Sequence, residues 1–125
     1  MAADRLPRRI GVGGAPEARL TLARTGGMSG AAEIFGILGD PTRVRVLTAL
    51  RPGELCVTDL AAATGVNRTT VSHQLRVLRN HRLVDRRRVG KVVFYRIADH
   101  HIAALLDMAC EHAVEDEDAE IEVSA

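Results

Sequence analysis

Residues 58–78, Thr58-Asp59-Leu60-Ala61-Ala62-Ala63-Thr64-Gly65-Val66-Asn67-Arg68-Thr69-Thr70-Val71-Ser72-His73-Gln74-Leu75-Arg76-Val77-Leu78, decide the fold. The spacing predicts a short helix over Val57–Thr64, with Leu60 facing inward and Gly65 supplying the left-handed residue that closes it. Asn67 is a good N-cap for a second helix reaching about Asn80, whose Val71, Leu75 and Leu78 form one apolar stripe. Only Gly65-Val66-Asn67 separates the two helices, which is the connection of a helix-turn-helix.

Downstream, two β-like runs over 83–89 and 92–97 meet at Gly90-Lys91. The second, Val-Val-Phe-Tyr-Arg-Ile, is rich in β-branched and aromatic residues. A hairpin directly after a helix-turn-helix is a wing. A last helix starts near Asp99 with Ile102, Leu105, Leu106, Ala109 and Ala113 on its apolar side. Upstream, Asp40-Pro41 pairs an N-cap with a first helical residue that has no N–H to leave unpaired. Val44, Leu47 and Leu50 carry that helix until Pro52-Gly53. Before it, Ile34, Ile37 and Leu38 share a face from Ala31 on. Residues 1–27 hold scattered Gly, Pro and Arg with no sustained period.

The expected organisation is a flexible arm over 1–28, a DNA-binding and dimerisation domain over 29–116 and an acidic tail over 117–125. Met28 opens Met-Ser-Gly just before the patterned region and is a candidate start codon. Hydrophobic residues make up 46%, but Phe35, Phe94 and Tyr95 are the only aromatics. Such a core suits helices packed on helices, so the fold class is mainly α with a small β-hairpin (α+β), a winged helix-turn-helix. No apolar run approaches the roughly 18 residues of a membrane span. The basic N-terminus lacks the apolar stretch of a signal peptide, so the expected location is cytoplasmic.

The net charge of +1 hides an asymmetry. Within 67–96 stand nine basic residues against one acid, Asp85, whereas 99–125 holds nine acids and no Lys or Arg. A basic block inside a folded pattern points to a phosphate-binding face. In a helix-turn-helix the second helix enters the major groove, so Arg68, Thr69, Ser72, His73, Gln74 and Arg76 are the candidate base readers. Arg86, Arg87, Arg88 and Lys91 of the wing are candidates for phosphates or the minor groove. The expected partner is double-stranded operator DNA. Cys56 and Cys110 are too few for a disulfide framework. No nucleophile motif or phosphate-cradling glycine loop points to an enzyme.

The run Val71-Ser72-His73-Gln74-Leu75-Arg76-Val77-Leu78-Arg79, following Asp59-Leu60-Ala61 and Gly65-Val66, resembles the ArsR/SmtB family of bacterial metal-sensing repressors. The likeness takes in Asp40-Pro41-Thr42-Arg43, Glu54-Leu55-Cys56-Val57, Phe94-Tyr95-Arg96-Ile97 and Asp99-His100-His101, and covers roughly 31–115. It identifies the family and not the inducer.

Asp99, His101, His112 and Glu115 supply two imidazoles and two carboxylates on one helix. His112 and Glu115 are i, i+3 and share a face. His101 and His112 point the same way but stand about 16 Å apart along the axis, against zinc bonds of roughly 2.0–2.2 Å. One helix therefore cannot gather all four, whereas an antiparallel copy across a two-fold axis can. Asp99 and His101, at i, i+2, fit only if Asp99 caps the helix. The resemblance implies the same arrangement: members sensing zinc on the last helix use Asp-x-His at its start and His-x-x-His or His-x-x-Glu further on. The family's second site uses Cys-x-Cys before the recognition helix, and here reads Cys56-Val57-Thr58. The reading is a homodimer joined through its terminal helices, with Zn2+ as effector and not as catalytic cofactor. Two His and two carboxylates suit zinc. Cobalt or nickel, or a thiol-reactive signal through Cys56 and Cys110, are the alternatives within the class. A hydrolytic metal site is disfavoured because four protein ligands leave no place for water.

Overall fold

The computed structural model describes residues 14–124, with side chains described as far as Glu115. It contains α1 (Gly14–Arg24), α2 (Met28–Leu38), α3 (Pro41–Ala49), β1 (Leu55–Cys56), α4 (Val57–Thr64), α5 (Arg68–Asn80), β2 (Val84–Val89), β3 (Val92–Ile97) and α6 (His100–Ser124). The chain divides into two compact units, Met1–Glu33 and Ile34–Ala125. Among the described residues no helix is long and apolar enough to cross a membrane.

In the larger unit, the ends of the helices are set by the residues that local chemistry singles out. Asp40 accepts the amide of Arg43 at 3.0 Å, with Pro41 opening α3. Asn67 accepts the amide of Thr70 at 2.8 Å and so caps α5. Gly65, at φ 73°, closes α4. The core is the stripe expected of each element: Ile37 from α2, Leu47 from α3, Leu60 from α4, Val71, Leu75 and Leu78 from α5, Ile102 and Leu106 from α6. Leu50 and Val46 join it, while Val44 is only half-buried.

The wing is a three-stranded antiparallel sheet in the order β1-β3-β2. The expected hairpin is present, with Val84 opposite Ile97 and Val89 opposite Val92. The third strand was not expected. Leu55 and Cys56 pair with Tyr95 and Phe94, and two residues carry no period to detect. The expected strand from 83 begins at Val84 instead, because the amide of Leu83 donates to the carbonyl of Leu78 at 2.8 Å and still belongs to the helix end. That end turns through Arg82, a non-glycine residue at φ 61°, in a Schellman-type closure.

Helix is also present toward both ends of the chain. The segment read as an arm without sustained period holds α1, which has no buried residue. Ala, Leu and Arg are strong helix formers, and a helix can follow from propensity without an amphipathic stripe. Residues 1–13 of the expected arm lie outside the described residues. At the other end, α6 runs on through the acidic segment to Ser124. Ala109 and Ala113, expected on its packed side, are exposed, because within this chain only the first turns of α6 reach the core.

Candidate functional site

The helix-turn-helix is built by α4 and α5, and its turn is held from three sides. Thr64, the one buried polar residue among those described, donates its hydroxyl to the carbonyl of Leu60 at 2.7 Å and accepts the amide of Val66 at 3.3 Å. Arg45 of α3 donates Nε to the Thr64 carbonyl at 2.6 Å, placing a cation on the C-terminus of α4, where the helix dipole favours it. Burial of Val71, Leu75 and Leu78 then fixes the rotation of α5 and leaves Arg68, Thr69, Ser72, His73 and Arg76 exposed. Gln74, expected beside them, is half-buried, and its Oε1 accepts Nε of Arg43 at 2.9 Å.

Strand alternation divides the three wing arginines. Arg86 and Arg88 share a face of β2 with Val84, which is buried in the core beside α5. Arg87 lies on the other face, opposite Phe94, and its guanidinium carbon stands 5.7 Å from that ring's centroid. Its Nε donates to both carboxylate oxygens of Glu54, at 2.7 and 3.0 Å. The hydrogen bond from Arg87 holds the Glu54 carboxyl below its ordinary range, and the carboxylate in turn raises Arg87. Arg87 is thus already paired within the chain. Lys91 is exposed at the hairpin tip, where Gly90 adopts φ 62°. Asp85 stands 4.0 Å from Arg96.

Asp99 precedes α6 as its cap. Its Oδ1 accepts the amides of His101 at 2.9 Å and Ile102 at 3.2 Å. The Ile102 amide above all, then the His101 amide and the neighbouring imidazoles, hold this carboxyl below its usual range. His101 is largely exposed, with Nδ1 3.4 Å from Asp99 Oδ1. The cap geometry therefore brings Asp99 and His101 together despite their i, i+2 spacing. His112 and Glu115 stand exposed further along the same helix. Among the described residues no three His, Cys, Asp or Glu side chains converge within the chain. Both thiols are free, Cys56 half-buried on β1 and Cys110 exposed on α6.

Sequence reasoning missed the long-range arginines, Arg43, Arg45 and Arg51. Arg51, just after α3, makes a two-pronged ion pair with Asp107 of α6, Nε to Oδ1 at 3.0 Å and Nη2 to Oδ2 at 2.6 Å. It ties the helix bearing the candidate ligands to the body of the domain. No local pattern marks such a pair.

The profile of the family described as "Bacterial regulatory protein, arsR family" matches residues 40–86. The chain is similar to the "Transcriptional repressor SmtB homolog" of Synechocystis, at 51% identity over 67% of this chain and 64% of that protein, just under two thirds of its length. It is 39% identical to the "Cadmium resistance transcriptional regulatory protein CadC homolog" of Staphylococcus aureus, over 65% of this chain and 68% of that one. Among solved structures, the "homodimeric winged helix-turn-helix DNA-binding domain" of a possible ArsR-family regulator from Mycobacterium bovis superposes with a TM-score of 0.65 at 35% identity, covering 70% of this chain and 82% of that one. With its winged helix-turn-helix, the basic face of α5 and these relatives, the chain belongs to the ArsR family, whose members are transcriptional regulators and not enzymes.

Proposed function

We propose that the protein is a zinc-responsive repressor that binds operator DNA as a homodimer in its metal-free form. The observation that carries the DNA reading is the exposed set Arg68, Thr69, Ser72, His73 and Arg76 on α5, joined by Arg86, Arg88 and Lys91 of the wing. For the metal, Asp99 at the cap of α6 stands beside His101, with His112 and Glu115 on the same helix. Asp99 engages its amides through Oδ1, so Oδ2 is the oxygen offered to a metal. The two pairs belong to opposite ends of one stretch of helix and meet only when a second copy runs antiparallel. Phe35 (61% exposed), Met108 (69%) and Val114 (52%) give α2 and α6 apolar surface that a second copy would cover.

By linkage, zinc that binds the free dimer more tightly must weaken operator binding by the same factor. Fluorescence anisotropy on DNA from upstream of the protein's own gene, with chelator and then with zinc, tests this. The expected result is tight binding under chelator that zinc releases in the wild type but not in His112→Ala. Tight binding indifferent to zinc would keep the repressor and discard the effector, with cobalt, nickel and a thiol oxidant as the next ligands tried. A His112→Ala protein that answers zinc like the wild type would remove the proposed site.

A further inference from the structure

Gln74 occupies a position on α5 that its residue type assigns to reading adenine, yet its side chain turns toward the body of the domain. The Arg43 guanidinium donates Nε to Gln74 Oε1 at 2.9 Å and Nη1 to the carbonyl of Ile37 at 3.2 Å. The backbone of Arg43 is itself pinned, its amide donating to Asp40 Oδ2 at 3.0 Å. One side chain thus spans three helices: it springs from the first turn of α3, ends the carbonyl row of α2 and grips the middle of α5. The Ile37 carbonyl is among the last four of α2, which have no partner inside the helix, and a cation is favoured there. A guanidinium can only donate, so the amide oxygen of Gln74, and not its NH2, faces it.

We propose that Arg43 and Gln74 form a strut that sets the position of the recognition helix on the domain, and that Gln74 is a positioning residue and not a base reader. Bidentate reading of adenine takes the amide oxygen, accepting from N6–H, and the NH2, donating to N7, together, and the oxygen is engaged. The strut rests on the DNA-binding reading of the chain and adds to it how α5 is presented. Burial of Val71, Leu75 and Leu78 sets the rotation of α5, but an aliphatic contact permits sliding. A charged fork with two fixed acceptors does not.

The test is a double-mutant cycle on the full chain: wild type, Arg43→Met, Gln74→Leu, the double variant and Gln74→Glu. Anisotropy is measured on the operator, on its single-base variants and on unrelated duplex, over a series of salt concentrations. Gln74→Leu should lose about tenfold in operator affinity, the loss of one charge-assisted hydrogen bond, Arg43→Met at least as much because it also gives up the Ile37 carbonyl, and the double variant no more than the worse single one. The order of preference among operator variants and the salt slope should not move. Gln74→Glu should bind like the wild type, since a carboxylate still accepts from Arg43. Additive losses would overturn the strut. So would a Gln74→Leu protein with a changed base preference at one A·T pair, or a Gln74→Glu protein that loses binding as an acid facing DNA does. Thermal unfolding without DNA gives the same cycle independently: coupling between the two residues supports the bond, and none overturns it. A wild type that does not distinguish operator from unrelated DNA would sink the DNA-binding reading and the positioning role with it, whatever the unfolding cycle shows.

Discussion

Asn67 offers a direct measure of how the recognition helix is held. Its side-chain oxygen accepts the amide of Thr70 at 2.8 Å, while its backbone carbonyl separately accepts the amide of Val71 at 3.0 Å. Asn67→Ala removes the first bond and leaves the second, so the loss is one side-chain cap. Such a cap contributes about 1 kcal/mol. For a domain of this size that lowers Tm by roughly 4–8 °C. Thermal unfolding followed by circular dichroism measures it, with Asn67→Ser as the control that keeps an acceptor and should fall by a few tenths of a kcal/mol at most (about 1–2 °C). Asn67→Asp separates stability from function. Its carboxylate caps the helix and suits the N-terminal dipole, so the fold holds or gains, yet the added charge beside the exposed first turn of α5 repels phosphate and weakens operator binding. Equal losses of Tm in the Ala and Ser variants would refute the capping argument. An Asn67→Asp protein that binds operator as tightly as the wild type would refute the placement of that turn against DNA.

Two other perturbations follow from the same structure. Arg82 sits at φ 61°, where a Cβ costs ~1–2 kcal/mol, so Arg82→Gly should gain up to about 1 kcal/mol after the entropy that glycine adds to the unfolded chain; urea unfolding would show it as a higher midpoint at unchanged slope. Asp107 and Glu54 both have carboxyls lowered chiefly by hydrogen bonds from Arg51 and Arg87. Their contribution is present above the ordinary carboxylate range and is lost as pH falls through the lowered folded values. In metal-free protein, unfolding followed below about pH 4 should therefore show a shallower loss of stability for Asp107→Asn than for wild type. An unchanged slope would mean that the ion pair does not persist in solution.

What the residues state locally came through intact. Asp40, Gly65 and Asn67 mark helix ends that the structure reproduces, because a cap is an interaction between residues at most a few positions apart. The stripe Val71-Leu75-Leu78 gave the rotation of α5, and the β-branched run 92–97 gave its strand to the residue. The cap position that lets Asp99 and His101 meet was likewise readable. A lack of amphipathic period gave no sign of α1, where propensity alone suffices, and the acidic composition gave none of how far α6 runs.

The sequence by itself thus determined the winged helix-turn-helix, the exposed basic helix and the presence of Asp99, His101, His112 and Glu115 along the last helix. The tertiary structure alone decided which polar residues are already spent. Gln74 is bound by a partner 31 residues away, Arg87 by one 33 away and Asp107 by one 56 away. Helical and strand periods reach only a few residues along the chain, so they report which face a side chain is on but not what meets it there. Arg86, Arg87 and Arg88 look alike as a run of letters. Pairing with β3 and the approach of Glu54 set the middle one apart.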